Sequence, residues 1–230
     1  MVVFENIIKV YIMKSVLKQD MTQIITDLID KSMCNDAEYL QFHRKNTYKM
    51  YSFDGFYPYE SDGIYKEGKI YSFRIRTTDE KLIVFLKKQL FNAYNDYVKT
   101  LTIETRRIPK KLISKVYTVT PMFLKNDNGY WRKNLSIQEF EERISINLIK
   151  KYNTIMDTKV DEDFELFNGI SFLNRKPIAV KYKNITLLGD KVEINIADNQ
   201  LAQDIAYMAI ATGIGENNAR GAGFINYKYM

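Results

Sequence analysis

The sequence predicts an α+β chain built as two βαββαβ units in tandem, residues 1–108 and 109–230. Three observations predict it. Strand-like and helix-like patterns alternate in the order strand, helix, strand, strand, helix, strand. After Pro109 the same order begins again. A chain of 230 residues, 46% hydrophobic and 27% charged, suits one large domain or two of about 100 residues each.

The elements follow in order. "VVFENIIKVYIM" (2–13) is extended and rich in β-formers. "DMTQIITDLIDKSM" (20–33) spaces its apolar residues as a helix, with Asp20 and Gln23 as the start signal. "TYKMYSFDGF" (47–56) and "GKIYSFRIR" (68–76) are strand-like, joined by a link rich in turn residues. "DEKLIVFLKKQLFNAY" (79–94) is amphipathic, with Thr78 as the expected N-cap. "YVKTLTIETRRI" (97–108) alternates as a strand. In the second unit, 112–124 is a strand, and 136–156 is a long helix opened by a Ser136–Glu139 capping box. An irregular acidic link covers 157–169, and 177–197 is a hairpin turning at Gly189-Asp190. An apolar helix at 199–212, a glycine-rich loop and a strand at 223–230 complete the unit. This repeated order is that of the ferredoxin-like (RRM-like) fold.

Composition narrows the function. No run of about 18 apolar residues exists, so no membrane partner is expected. Glu5 and Lys9 interrupt the apolar N-terminus, which suits a strand better than a signal peptide. Cys34 is the single cysteine, which excludes an internal disulfide and points to a cytoplasmic setting. The net charge of +6 favours an anionic partner. Positive charge concentrates between Thr105 and Lys133, where Arg106, Arg107, Lys110, Lys111, Lys115, Lys125, Arg132 and Lys133 face one acid, Asp127. Such a run is either a solvated face or an anion-binding surface.

Near the C-terminus, "GIGENNARGAGF" (213–224) holds four of the 10 glycines. A dinucleotide fingerprint would place its third glycine at Asn218, and would lie between a strand and a following helix. A Walker-type loop would need Lys-Ser or Lys-Thr after Gly221, where Ala222 and Gly223 stand. Neither nucleotide motif fits. Gly213, Gly215, Gly221 and Gly223 are expected to let backbone amides close on a polyanion, with Arg220 adding charge.

His43 is the lone histidine, close in sequence to Tyr39, Arg44, Lys45, Tyr48 and Lys49. A histidine among cations can move a proton at a phosphodiester without a metal, and a lysine can stabilise the charge that builds on the phosphorane. One histidine and one cysteine do not supply a usual zinc site. The acids of 157–165 leave a magnesium-dependent nuclease as a third reading. No metal or cofactor is expected.

"GIGENNARGAGF", together with "FHRKNTYKMYSFDGFYP" and "DGIYKEGKIYSFRIRT", resembles the CRISPR repeat-RNA endoribonucleases of the Cas-six family, within the RAMP superfamily. The resemblance spans the chain. It implies two ferredoxin-like domains and metal-independent cleavage of precursor CRISPR RNA within its repeats. The ribose 2′-OH attacks, leaving 2′,3′-cyclic phosphate and 5′-OH ends. It carries general acid/base work to His43 and transition-state stabilisation to Lys49. Tyr39 is the nearest counterpart of a tyrosine that some members carry on the first helix; residues 20–33 hold none. RNA contacts are expected at the four loop glycines, Arg220, Arg106, Arg107, Lys110, Lys111, Arg44 and Lys45. The expected partner is CRISPR repeat RNA, with other Cas effector subunits and a second copy of the chain as further candidates. The alternative is a RAMP-type RNA-binding subunit that does not cut.

Overall fold

The computed structural model describes residues 1–45, 47–124, 129–182 and 185–230, without the side chains of His43 and Tyr182. Lys125 and Asp127 of the basic stretch lie outside the described residues. The first half runs β1 (Val3–Ile12), β2 (Val16–Leu17), α1 (Lys18–Met33), α2 (Ala37–Arg44), β3 (Tyr51–Phe53), β4 (Ile64–Tyr65), β5 (Ile70–Thr77), α3 (Glu80–Leu90) and β6 (Val98–Ile108). The second runs β7 (Ile113–Thr118), α4 (Ile137–Met156), β8 (Phe167–Phe172), β9 (Ile178–Tyr182), β10 (Ile185–Gly189), β11 (Val192–Ile196), α5 (Gln200–Thr212) and β12 (Ile225–Tyr229). The main sheets have the orders β3-β5-β1-β6 and β12-β7-β11-β8. In each, the strands stand second, third, first, fourth when read from one edge, the same order twice. The fold is α+β with two ferredoxin-like units in tandem.

Local chemistry sets the helix ends, and it differs from the expectation in places. α1 starts at Lys18 after Leu17, which makes no side-chain cap, so Asp20 lies in the first turn rather than at the cap. Met21, Ile24, Ile25, Leu28 and Ile29 bury one face of α1, each such side chain contributing about 1.5–3 kcal/mol. α3 is capped by Asp79, whose carboxylate accepts from Leu82 N at 3.0 Å, not by Thr78. The Ser136–Glu139 capping box of α4 forms as expected. α2 has no counterpart in the sequence reading. Its N-cap Asp36 accepts from the amides of Glu38 and Tyr39, and it carries His43 on a helix rather than in a connection.

The second half also departs from its pattern. β8 emerges from the end of the acidic link and pairs with β11. The hairpin is β9 with β10, in register Ile185↔Tyr182, and Gly189-Asp190 is not its turn. That position is an exit point. Met122 N donates to Asp190 O at 2.9 Å, and the Asp190 carboxylate accepts from Tyr130, Trp131, Arg132 and Asn174. β11 then joins β7 and β8. The hairpin is thus an insertion between the second and third strands of the unit.

The halves meet on α5. Ten of its residues, from Ala202 to Thr212, are buried, because it packs on its own sheet and on β1, β3 and β5 of the other. Tyr207 Oη donates to Ile108 O at 2.7 Å and accepts from Val3 N at 3.1 Å. Alternation along β5 sends Tyr71, Phe73 and Ile75 to the first core and Arg74 and Arg76 to the opposite face. There Arg76, 1% exposed, bonds Glu5 and the Ile225 carbonyl at 2.6 Å each.

Candidate functional site

The glycine segment is built inward. All four glycines are buried and have positive φ. A side chain at Gly223 would collide with the Ile214 carbonyl, and one at Gly213 would meet Asn218 and Gly223 O at 2.6 and 2.8 Å. Gly213 N donates to Ala209 O, Gly221 N to Asn218 O and Gly223 N to Pro121 O. Three of the four glycine amides are therefore spent inside the protein. This corrects the expected amide cradle: Gly213 and Gly223 let one limb of the loop pack on the other, while Gly215 lets it press on Phe123 and Gly221 on Thr22 and Phe53. Asn218 ties the turn by donating to Ile214 O and Ala222 O, both at 3.0 Å.

The segment's polar carbonyls meet a buried lysine. Lys151 of α4, 1% exposed, donates from Nζ to Gly213 O at 3.0 Å, Gly215 O at 2.8 Å and Asn218 Oδ1 at 2.7 Å. Burial pushes its ammonium down to about 7, with Glu216 opposing. The sequence reading missed Lys151. The signal for Lys151 was its phase: Phe140, Ile144, Leu148 and Lys151 fall on one face of α4.

Between this segment and the end of α2 lies a cleft of about 990 Å³. Phe42, Arg44 and Lys45 line one side, and Asn217, Ala219 and Arg220 the other; Tyr48 and Lys49 also line it. Arg44, Lys45, Lys49, Lys151 and Arg220 bring positive charge against one carboxylate, Glu216, among the described residues that line it. Arg220 is ion-paired with Asp30. Lys49 Nζ donates to the carbonyls of Phe42 and Lys45, closing the C-terminal turn of α2. Burial, then the charge of Arg220, holds the Lys49 ammonium below its ordinary value. The backbone of His43 sits in α2 between Phe42 and Arg44; its side chain is outside the described part.

Other expected residues are placed elsewhere. Tyr39 does not line the cleft. Its ring stacks on Phe85 at 3.6 Å between centroids, and burial raises its pKa, with Asp79 adding to the rise. The basic stretch, nearly free of acids in sequence, finds them in space. Arg106 pairs with Glu5 at 2.6 Å, Arg107 with Glu80 at 3.3 Å and Lys110 with Asp204 at 2.5 Å. Lys111 lies over the Tyr229 ring. None of these four lines the cleft. Among the described residues, no group of three or more His, Cys, Asp and Glu side chains converges, so the acids of 157–165 form no cluster. No described helix is long and apolar enough to cross a membrane.

A second cavity of about 690 Å³ lies on the other side of the glycine segment, against α1 and the β9–β10 hairpin. Lys18, Lys181, Lys191 and Arg220 line it.

A family profile described as "CRISPR associated protein Cas6, C-terminal" matches residues 103–227. The solved structure of a "CRISPR associated protein Cas6" superposes with a TM-score of 0.74 at 17% identity, over 98% of this chain and 99% of the other. "An RAMP protein binding different RNA substrates" gives 0.73 at 16% identity, over 98% and 99%. A Cas6-related protein from Pyrococcus furiosus gives 0.70 at 14% identity, over 98% of each chain. No curated protein matches the chain.

Proposed function

Because the chain belongs to the Cas6 family of CRISPR-associated proteins, we propose that it is an endoribonuclease that cuts precursor CRISPR RNA within its repeats. The observation that carries the reading is the cationic cleft where the end of α2 meets the glycine segment. The His43 segment and the C-terminal loop, far apart in sequence, are its two walls. One related structure is a Cas6 product complex, and another is a RAMP protein binding different RNA substrates.

In the proposed reaction the ribose 2′-oxygen attacks phosphorus, and its proton leaves to a general base. The P–O5′ bond breaks, and the 5′-oxygen takes a proton from a general acid. The products are a 2′,3′-cyclic phosphate and a 5′-OH, with no metal in the scheme. His43 is the proton-transfer group. Arg44, Lys45 and Arg220 hold phosphates, and Lys49 contributes charge while shaping the end of α2. Domain-level work divides between residues 1–108, which carry His43, and 109–230, which carry the glycine segment.

The test is cleavage of the cognate repeat RNA in EDTA. Wild-type protein yields a cyclic-phosphate product, while His43→Ala and a 2′-deoxy scissile nucleotide each abolish it. Undiminished cleavage by His43→Ala overturns the reading. The engagement of Lys49 by two carbonyls and of Tyr39 by Phe85 favours a second reading, an RNA-binding subunit without catalysis. Tight binding with no product identifies it.

A further inference from the structure

Lys151 is the one lysine among the largest fully buried side chains of the described residues. A buried ammonium is costly unless its protons are taken. Here three N–H bonds meet three oxygens, all on the glycine segment or on the Asn218 side chain that ties it. Two of those oxygens belong to Gly213 and Gly215, at the start of the segment; the third belongs to the one-turn helix Asn218–Arg220. The contact therefore fixes the distance between the incoming chain and the turn that carries Arg220. Asn217 and Arg220 line the cleft; Lys151 borders it too, but its N–H bonds go to protein oxygens and its Nζ lies over the Tyr48 ring. Among the described residues no carboxylate is hydrogen-bonded to it, and Glu216 acts on it through charge, so the contact is first a hold on backbone shape.

We propose that Lys151 is a positioning residue for RNA: reaching from α4, it sets the glycine segment and so presents Asn217 and Arg220 to the phosphates in the cleft. This rests on the cleft being the RNA site. A lysine that touches phosphate itself releases counterions whether or not Arg220 is present; a lysine that acts through Arg220 alters the salt dependence of binding only while Arg220 is there to be displaced.

The experiment uses full-length protein and a repeat RNA with a 2′-deoxy scissile nucleotide, so that binding is read without cleavage. Lys151→Met and Asn218→Ala approach the contact from opposite sides, so misfolding of one leaves the other to decide. Each raises the RNA Kd by about tenfold, and in an Arg220→Ala background neither changes the slope of log K against log salt. Most of that loss disappears when either is made in an Arg220→Ala background, because coupled residues are not additive. Without RNA, each speeds amide exchange across 213–223. An unchanged Kd, additivity with Arg220→Ala, or a slope lowered by a further ~0.7 in the Arg220→Ala background overturns the proposal. If wild-type protein binds no repeat RNA, the reading of the cleft fails. The exchange measurement then judges Lys151 alone, and unchanged exchange removes its hold on the segment.

Discussion

Lys151 Nζ donates to Asn218 Oδ1 at 2.7 Å, joining α4 to the far side of the glycine segment. The bond places a titratable group in the interior with no bonded counter-charge among the described residues. Burial holds its pKa at about 7, against about 10.4 in an unfolded chain. Between those values the unfolded chain carries the proton and the folded chain does not, so stability rises with pH by up to about 1.4 kcal/mol per pH unit. Below about pH 7 both states carry it, and the cost of burying the charge is constant. Urea denaturation of wild type and Lys151→Met between pH 6 and 9 reads this directly. Wild type gains on the variant above pH 7; a flat difference means that the folded lysine keeps its proton.

The buried pair of Glu5 and Arg76, 0% and 1% exposed, gives a second outcome. Glu5→Gln leaves the Arg76 guanidinium uncompensated between the halves. The expected loss is about 3–5 kcal/mol in chemical denaturation. A loss under 1 kcal/mol would mean that the Ile225 carbonyl and Asn226 suffice to hold Arg76.

Charge in the cleft and charge in the basic stretch should separate in salt titrations. Arg44→Ala and Lys45→Ala each lower the slope of log K against log salt by about 0.7 in filter-binding or anisotropy assays with repeat RNA. Arg107→Ala, paired with Glu80, leaves the slope unchanged. The reverse pattern would return the RNA path to the stretch after Thr105.

Two glycines with positive φ make a controlled comparison. Among the described residues Gly129 has nothing within 4 Å of an added side chain, so Gly129→Ala is expected to cost backbone strain alone, about 1–2 kcal/mol. Gly223→Ala carries that strain and a collision with the Ile214 carbonyl. Its loss of stability in urea exceeds that of Gly129→Ala. Equal losses would show that the segment yields.

The repeated strand order was legible because β1, β5, β6 and the helices carry strong periodicity. α2 was not, because eight residues with only Tyr39 and Phe42 packed on the first core give little more than two turns of signal. β8 was hidden next to an acidic run, and β9–β10 was read as part of a longer hairpin because Gly189-Asp190 has turn chemistry that tertiary contacts to Met122 and Trp131 put to another use. At the site, sequence located both walls of the cleft, the α2 end and the glycine segment. It could not give direction. Glycine spacing showed that the chain bends closely but not that its amides point inward, and the acids that pair Arg106, Arg107 and Lys110 come from β1, α3 and α5.

The contacts of Arg76 and Tyr207 bear on how the molecule melts. Arg76 belongs to the first sheet but spends one N–H on the last strand, at Ile225 O; Tyr207 belongs to α5 but closes the ends of β1 and β6. Separated, each half would bare polar groups that only the other satisfies, along with the apolar flank of α5. The duplicated topology does not give duplicated autonomy. Calorimetry should record one heat-absorption peak for the whole chain, and fragments cut between Ile108 and Ile113 should regain structure when mixed, not alone.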